Sequence, residues 1–147
     1  MCGRFALLAP GPTIADQFGV EVSHQIVPRY NIAPTQPVAA VRLDRQGARD
    51  LTDFQWGLIP SWSKDPAIGS RMINARSETA ADKPSFRSAF KARRCLIPAD
   101  GYYEWKKGKG RERLPYHFGL PDEQGLSLIH ISEPTRRRDS SRMPSSA

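Results

Sequence analysis

The apolar pattern near the N-terminus predicts a short strand followed by a brief helix. The run Phe5–Leu8 predicts the strand, and a Pro-Gly-Pro segment ends it. Ile14 and Phe18 then fall four residues apart, which places both on one face of a helix. Thr13 is expected to cap this helix, and Gly19 stands in the usual position for its end.

The next apolar segments predict a β-hairpin. Val38–Leu43 and Ala48–Trp56 have the composition of strands, and Asp44–Gly47 between them contains turn-forming residues. Before the hairpin, the Pro-containing stretch from Pro28 to Pro37 favours extended, non-helical backbone.

The following segments predict one helix and three more strands. The helix is expected around Phe86–Phe90, and a strand at Cys95–Pro98 follows it. Tyr102–Trp105 alternates in character, so its odd and even positions face opposite sides of a strand. A mobile basic turn at Lys106–Arg113 then leads to a returning strand, Leu114–Phe118. These patterns indicate a mainly β protein with few helices.

Composition places the chain among soluble globular domains. Of its 147 residues, 39% are hydrophobic and 25% charged, which suits a single domain with a real core. The chain lacks a long apolar run and a signal-peptide pattern, so we expect a cytoplasmic protein without a membrane partner. Two cysteines, Cys2 and Cys95, cannot build a disulfide framework. Because neither a CxxC nor an HExxH spacing occurs, we expect no metal and no cofactor.

The net charge of +7 suggests a polyanionic partner, although many basic domains bind nothing in particular. Several cations lie in or beside the predicted helix, namely Lys83, Arg87, Lys91, Arg93 and Arg94. They could follow a phosphate backbone or simply form a solvated face. In the irregular loop from residue 57 to 66, Trp62 could equally stack on an unpaired base or pack in the core, whereas core packing is preferred for Trp56.

The C-terminal tail has a different character. Leu126–Arg136 resembles the translation of a transposase-based sequencing-library adapter, and Ser141–Ala147 resembles the other end of the same adapter in frame. The alternative is a genuine polar tail. We therefore predict that residues 126–147 are an adapter-derived, non-native tail, and that the basic excess of the chain survives without them.

The second residue offers a distinctive chemistry. Removal of Met1 would leave Cys2 with a free α-amine beside its thiol, groups that titrate near ~8 and ~8.5. Such a 1,2-aminothiol captures an aldehyde as a Schiff base, which the sulfur then closes into a thiazolidine. The simpler interpretation is a cysteine that happens to follow the start codon.

Two further residues carry chemistry only in a suitable environment. Glu104 is flanked by aromatic residues, so it is either a surface residue on a half-exposed strand or an acid altered by burial. His117 is expected to be an ordinary strand histidine, because no second catalytic partner accompanies it in the sequence.

Five segments in order resemble the SOS-response-associated peptidase (SRAP) family of abasic-site processing proteins. They are Met1–Phe5, Arg29–Pro34, Trp56–Pro60, Ile73–Thr79 and Cys95–Trp105. The resemblance covers residues 2 to about 118 and implies an α+β fold, mainly antiparallel strands curled into a barrel-like shape with flanking helices. Residues 1–125 would be the N-terminal part of a single such domain, incomplete at the C-terminus.

The resemblance also implies a substrate and roles for individual residues. An abasic deoxyribose opens to an aldehyde, which Cys2 would capture as a covalent protein–DNA crosslink. Asn74 matches the residue that positions the sugar, and Glu104 matches the acid that shuttles protons. Arg4 and Arg76 match phosphate contacts, and Trp62 lies in the loop that stacks on neighbouring bases.

One catalytic residue of the family has no counterpart here. The family has a histidine shortly before an Arg-Met-Pro-like segment, which assists sugar opening and crosslink reversal. Arg142–Pro144 imitates that segment within the predicted adapter tail, and His130 belongs to the same tail, so neither receives the role.

Three functions are therefore weighed. The first is an abasic-site sensor in the SOS response that crosslinks to single-stranded DNA, with lyase-like Schiff-base chemistry, autocatalytic removal of Met1 and, when bound to DNA, association with the nucleoid. The second is a non-covalent single-stranded nucleic-acid-binding module in which Cys2 is incidental. The third is an N-terminal-nucleophile hydrolase in which Cys2 attacks an amide. A monomer is expected in each case.

Overall fold

Antiparallel strands dominate the computed structural model, which describes residues 3–22, 25–119 and 127–130. The strands are β1 (Phe5–Leu7), β2 (Arg29–Ile32), β3 (Pro37–Leu43), β4 (Arg49–Gln55), β5 (Cys95–Ala99), β6 (Gly101–Lys107), β7 (Arg113–Gly119) and β8 (Ser127–His130). The helices are α1 (Gly11–Phe18), α2 (Ser77–Ala80), α3 (Pro84–Ala92) and a short 3₁₀ helix, Pro66–Arg71. The α+β class with few helices is therefore confirmed.

The strands form two antiparallel sheets. The first has the strand order β2-β1-β6-β7 and the second β4-β3-β5-β8. The predicted hairpin is the β3–β4 pair, and its turn is held by Asp44, whose carboxylate accepts hydrogen bonds from the backbone N–H groups of Gln46 and Ala48 at 2.8 Å each. Such a side-chain-to-backbone bond is the reason that Asp favours turns.

The predicted N-terminal helix forms, but it begins earlier than expected. It starts at Gly11, with Pro10 in the N-cap position and no side-chain cap from Thr13. A proline in the first turn costs no hydrogen bond, so the Pro-Gly-Pro segment starts the helix as well as ending the strand. Gly19 ends the helix in the left-handed conformation, as predicted, with φ at 60°.

One hydrophobic cluster joins both sheets to α1. Its members from the first sheet include Phe5, Leu7 and Ile32, and those from the second include Val38, Leu51 and Ile97. Ile14 and Phe18 complete it from the predicted face of α1. Trp56, which directly follows β4, is buried in this cluster with 5% of its surface exposed, so its preferred core role is confirmed.

The described strands do not close into the barrel-like shape that was expected. Hydrogen bonds pair strands within each sheet, and no strand pairing among the described residues joins one sheet to the other. Closure requires every edge strand to find a neighbour, whereas β7 is an edge among the described strands and every one of its residues is exposed. The sheets are instead connected where β5 passes into β6, and there the Asp100 N–H donates to the Ala6 carbonyl at 2.9 Å.

Strand β8 falls within the tail that was predicted to be non-native. Its backbone pairs antiparallel with β5, from Leu96 opposite His130 to Ala99 opposite Ser127. Residue 126 and residues 131–147 lie outside the described residues. The division into a domain at 1–125 and a tail at 126–147 stays a prediction.

We expect Gly57→Ala to destabilise the protein severely. Gly57 has a φ of 136°, and a Cβ there would lie 2.4 Å from the Gly69 carbonyl oxygen. The backbone conformation alone costs about 1–3 kcal/mol for a non-glycine residue, and the contact with the 3₁₀ helix adds to that cost. The free energy of unfolding, measured in urea, checks this.

Gly47→Ala is the matched control. Gly47 also has a positive φ, 85°, but a Cβ there meets nothing within 4 Å. The control should lose only the cost of the backbone conformation. Equal losses in the two variants would show that the approach of Gly57 to Gly69 contributes nothing.

Candidate functional site

Arg4 is held between two strands of the first sheet. Its guanidinium donates to the side-chain oxygen of Asn31 in β2 at 2.9 Å, and its carbonyl accepts from the Tyr103 N–H in β6 at 2.9 Å. The residue is half-buried. A cation at the start of β1 is therefore oriented by β2 on one side and β6 on the other.

The pairing of β1 with β6 brings Glu104 near the N-terminus. Phe5 is opposite Tyr102, and Tyr103 bonds to Arg4. The antiparallel register, continued one residue towards the N-terminus, aligns Gly3 with Glu104. Cys2 lies outside the described residues, but it is bonded covalently to Gly3.

Aromatic residues surround Glu104 on its strand. Tyr102 is on the same face as Glu104, and its ring stacks on Phe118 of β7 with centroids 5.3 Å apart. On the opposite face, the Tyr103 ring meets His117 at 4.9 Å, and the Tyr103 hydroxyl donates to the Tyr30 carbonyl at 2.9 Å. The predicted alternation is observed, and Glu104 is half-buried on a strand that is partly exposed.

Asn74 is tied to β1 through a tryptophan. The Trp56 indole N–H donates to the Ile73 carbonyl at 2.9 Å, and the Trp56 ring packs against Phe5 with centroids 5.4 Å apart. Asn74 directly follows Ile73, is half-buried, and lines a cavity of about 390 Å³ between the second sheet and α3. The aromatic contact thus couples the segment of Asn74 to the strand that follows Cys2.

The other two predicted site residues lie on the surface. Trp62 has 59% of its area exposed, in a loop where the Ser63 N–H donates to the Pro60 carbonyl at 2.9 Å. The core alternative for Trp62 is therefore wrong, since a packed ring would be buried. Arg76 is exposed at the N-cap position of α2.

Sequence reasoning missed the role of Asp100. Its carboxylate accepts from the backbone N–H groups of Leu8 and Ala9, at 3.0 Å for Ala9, and so fixes the chain where it leaves β1. The Asp-Gly pair indicated only a turn. A partner about 90 positions away in the sequence leaves no local signal.

Other classes of site were sought in the part of the chain that the structure describes. Within it, no group of three or more His, Cys, Asp or Glu residues is arranged to hold a metal ion. No helix there is both long and apolar enough to cross a membrane.

Comparison with known proteins assigns the family. The model of the family described as SOS response associated peptidase (SRAP) matches residues 1–146. The chain belongs to the SRAP family. The resemblance of the five segments is thereby confirmed, and the residues of the site can be considered as those of an SRAP protein.

Curated SRAP relatives share much of this sequence. Abasic site processing protein YoaM of Bacillus subtilis (strain 168) is 43% identical over 136 residues, covering 90% of this chain and 60% of the relative. Abasic site processing protein YedK of Escherichia coli (strain K12) is 32% identical over 146 residues, covering 95% and 63%. Abasic site processing protein HMCES of Rattus norvegicus is 38% identical over 109 residues, covering 66% and 31%. The chain spans about 60% of the length of the bacterial relatives.

A solved structure supports the fold of the SRAP chain. The crystal structure of a protein from Bacteroides thetaiotaomicron superposes with a TM-score of 0.71 at 25% sequence identity. The match covers 88% of this chain and 57% of that protein.

The second cysteine gives a pH-dependent prediction. Cys95 is half-buried at the start of β5, and burial raises the pKa of its thiol because the thiolate is desolvated. Between the unfolded and the folded pKa, the folded state holds a proton that the unfolded state has lost. The contribution of Cys95 to stability is therefore constant below the unfolded pKa of the thiol, about 8.5, and falls as the pH rises above it. Cys95→Ala should flatten this fall, as measured by urea unfolding at pH 7 and pH 10.

Cys2→Ala is the control for this comparison. It removes the other cysteine and leaves Cys95 in place. A fall with pH that persists unchanged in Cys95→Ala would assign the effect to other groups.

Proposed function

We propose that this SRAP chain captures the aldehyde of an abasic site in single-stranded DNA through Cys2. The observation that carries the proposal is the pairing of β1 with β6, in which the Tyr103 N–H bonds to the Arg4 carbonyl. Glu104 follows Tyr103, and Gly3, the residue bonded to Cys2, precedes Arg4. Consecutive Cα atoms are about 3.8 Å apart, so an acid and an N-terminal aminothiol belong to one small region. The relatives YoaM, YedK and HMCES carry the name abasic site processing protein, which supports the choice of substrate.

The proposed capture of the aldehyde proceeds in three steps, and each step conserves atoms. Hydrolysis of the Met1–Cys2 bond, by the chain itself or by an aminopeptidase, frees the α-amine of Cys2. The amine adds to the aldehyde of the ring-opened sugar, and loss of one water molecule gives the Schiff base. The thiol sulfur then adds to the imine carbon, and its proton passes to the nitrogen to give the thiazolidine.

Glu104 is proposed to transfer two protons, one during Schiff-base formation and one before ring closure. As an acid it protonates the hydroxyl that leaves as water, and as a carboxylate it accepts the proton of the thiol before ring closure. Its half-buried position between aromatic residues of β6 limits the access of water, which would compete with it for these protons.

The remaining residues are proposed to hold the DNA. Asn74 would orient the sugar, positioned by the Trp56–Ile73 hydrogen bond. Arg4, oriented by Asn31, and Arg76 would contact phosphates. The exposed ring of Trp62 would stack on a neighbouring base, a contact worth about 1–3 kcal/mol. The product would shield the lesion in the DNA damage response, without a cofactor.

The exposure of Trp62 also favours a second candidate function. A surface tryptophan in a basic chain suits a module that binds single-stranded nucleic acid without a covalent step. Such a module would bind intact and abasic DNA equally and would be indifferent to Cys2→Ala.

We expect a heat-stable adduct when the chain is incubated with single-stranded DNA carrying one abasic site. Because the chemistry requires the aldehyde and the aminothiol together, Cys2→Ala and borohydride-reduced abasic DNA should give none. A denaturing gel measures the adduct, and the intact mass of the protein verifies that Met1 is absent.

Cys95→Ala is the matched control, since it removes the other thiol and should retain the adduct. Folded protein with a free Cys2 that gives no adduct, or that reacts equally with the reduced DNA, would refute aldehyde capture.

We expect Glu104→Gln to slow crosslinking about 10²–10⁴-fold, the usual contribution of a positioned acid–base group. Glutamine keeps the shape of the side chain but cannot transfer protons. Glu112→Gln, near the β6–β7 turn, is the control and should react at the normal rate. Single-turnover time courses on gels give the rates, and an unchanged rate in Glu104→Gln would exclude the proton-transfer role.

A further inference from the structure

The pairing of β1 with β2 contains a β-bulge. Residues 5–7 of β1 lie opposite residues 29–32 of β2, so two steps along β1 correspond to three along β2. The additional residue interrupts the alternation of β2, in which Tyr30 and Asn31 are both exposed. A bulge leaves a backbone group without its partner in the ladder and turns the neighbouring side chains to new directions.

The hydroxyl of Tyr103 reaches the carbonyl of this bulge. It donates to the Tyr30 carbonyl at 2.9 Å. In the order β2-β1-β6-β7, two strand spacings of about 4.8 Å separate β6 from β2, or about 10 Å. The side chain of Tyr103 therefore crosses over the start of β1, where its own N–H bonds to the Arg4 carbonyl at 2.9 Å.

The residue that follows the bulge carbonyl holds Arg4. The side-chain oxygen of Asn31 accepts from the Arg4 guanidinium at 2.9 Å. The Tyr30 carbonyl and the Asn31 nitrogen belong to one planar peptide unit, so fixing the carbonyl also fixes the direction in which the Asn31 side chain leaves the backbone. Hydrogen bonds thus connect the Tyr103 hydroxyl to the Arg4 guanidinium through this peptide.

A purely structural explanation accounts for only part of this arrangement. A bulge carbonyl needs a donor, and the Tyr103 hydroxyl stabilises the sheet by supplying one. That need does not explain why the next side chain holds an arginine. The Arg4–Asn31 bond is exposed, and such a bond between side chains adds little to stability.

We propose that Tyr103 is a positioning residue for Arg4. Its hydroxyl, acting through the Tyr30–Asn31 peptide, fixes the guanidinium in the orientation in which it meets a phosphate. A guanidinium recognises phosphate through a planar fork of donors, so its orientation affects affinity. A side chain fixed beforehand also loses less conformational entropy on binding. The phosphate contact of Arg4 rests on the proposed function, whereas the connected hydrogen bonds do not.

The test removes single hydroxyl groups. Tyr103→Phe deletes the donor to the bulge and keeps both the ring and the backbone N–H. Tyr30→Phe is the matched control, because it deletes the hydroxyl of a side chain with 69% of its area exposed and leaves the Tyr30 carbonyl in place. Both are made in a Cys2→Ala background, which prevents covalent capture. Fluorescence anisotropy with an undamaged single strand gives Kd.

Tyr103→Phe should raise Kd about 3- to 10-fold, the usual effect of one hydrogen bond. Tyr30→Phe should leave Kd unchanged. In an Arg4→Ala background, Tyr103→Phe should raise Kd less than about 2-fold, because no guanidinium remains to be positioned. A merely structural role would give the same factor in both backgrounds, and that result would overturn the proposal.

The orientation of Arg4 can also be measured without DNA. The ¹⁵N heteronuclear NOE of the Arg4 Nε–H group reports the mobility of its side chain. It should fall in Tyr103→Phe and in Asn31→Ala, which deletes the acceptor of the guanidinium, and it should stay unchanged in Tyr30→Phe. An unchanged NOE in Tyr103→Phe would overturn the positioning role.

Failure of this inference can be distinguished from failure of the proposed function. With Cys2 present, Tyr103→Phe should raise the concentration of abasic DNA that gives half the maximum crosslinking rate and leave the maximum rate unchanged. A fall in the maximum rate alone would overturn the proposal. Loss of crosslinking in every variant, with the expected pattern of Kd and NOE retained, would reject aldehyde capture and support the role of Tyr103.

Discussion

The packing of Trp56 against Phe5 is the interaction on which the candidate site depends. Phe5 belongs to β1, whose pairing with β6 places Arg4 against Tyr103, the residue before Glu104. Trp56 belongs to the chain leaving the second sheet, and its indole N–H holds the Ile73 carbonyl next to Asn74. One aromatic pair therefore relates the N-terminal strand, the acid and the amide, and it does so inside the hydrophobic cluster where side chains have little freedom.

Local patterns predicted most of the regular structure. The β3–β4 hairpin, α3 and the β6–β7 pair follow from alternation, turn residues and apolar spacing, and these depend on neighbours in the sequence. The predicted start of α1 was wrong. Pro12 is compatible with a first helical turn, so the helix begins before Thr13. The expected barrel-like closure also failed, since closure depends on which edge strands meet, and local sequence does not specify this.

The sequence by itself determined the types of group available: an aminothiol precursor at Cys2, an acid among aromatics at Glu104, and a basic excess. It also identified the family, because five segments in order are highly specific. Only the tertiary structure decided which of these groups are neighbours. The bond of Tyr103 to Arg4, the link from Trp56 to the segment of Asn74 and the bonds of Asp100 to the end of β1 join residues far apart in the chain. Such contacts arise from strand pairing and core packing, which no local pattern encodes.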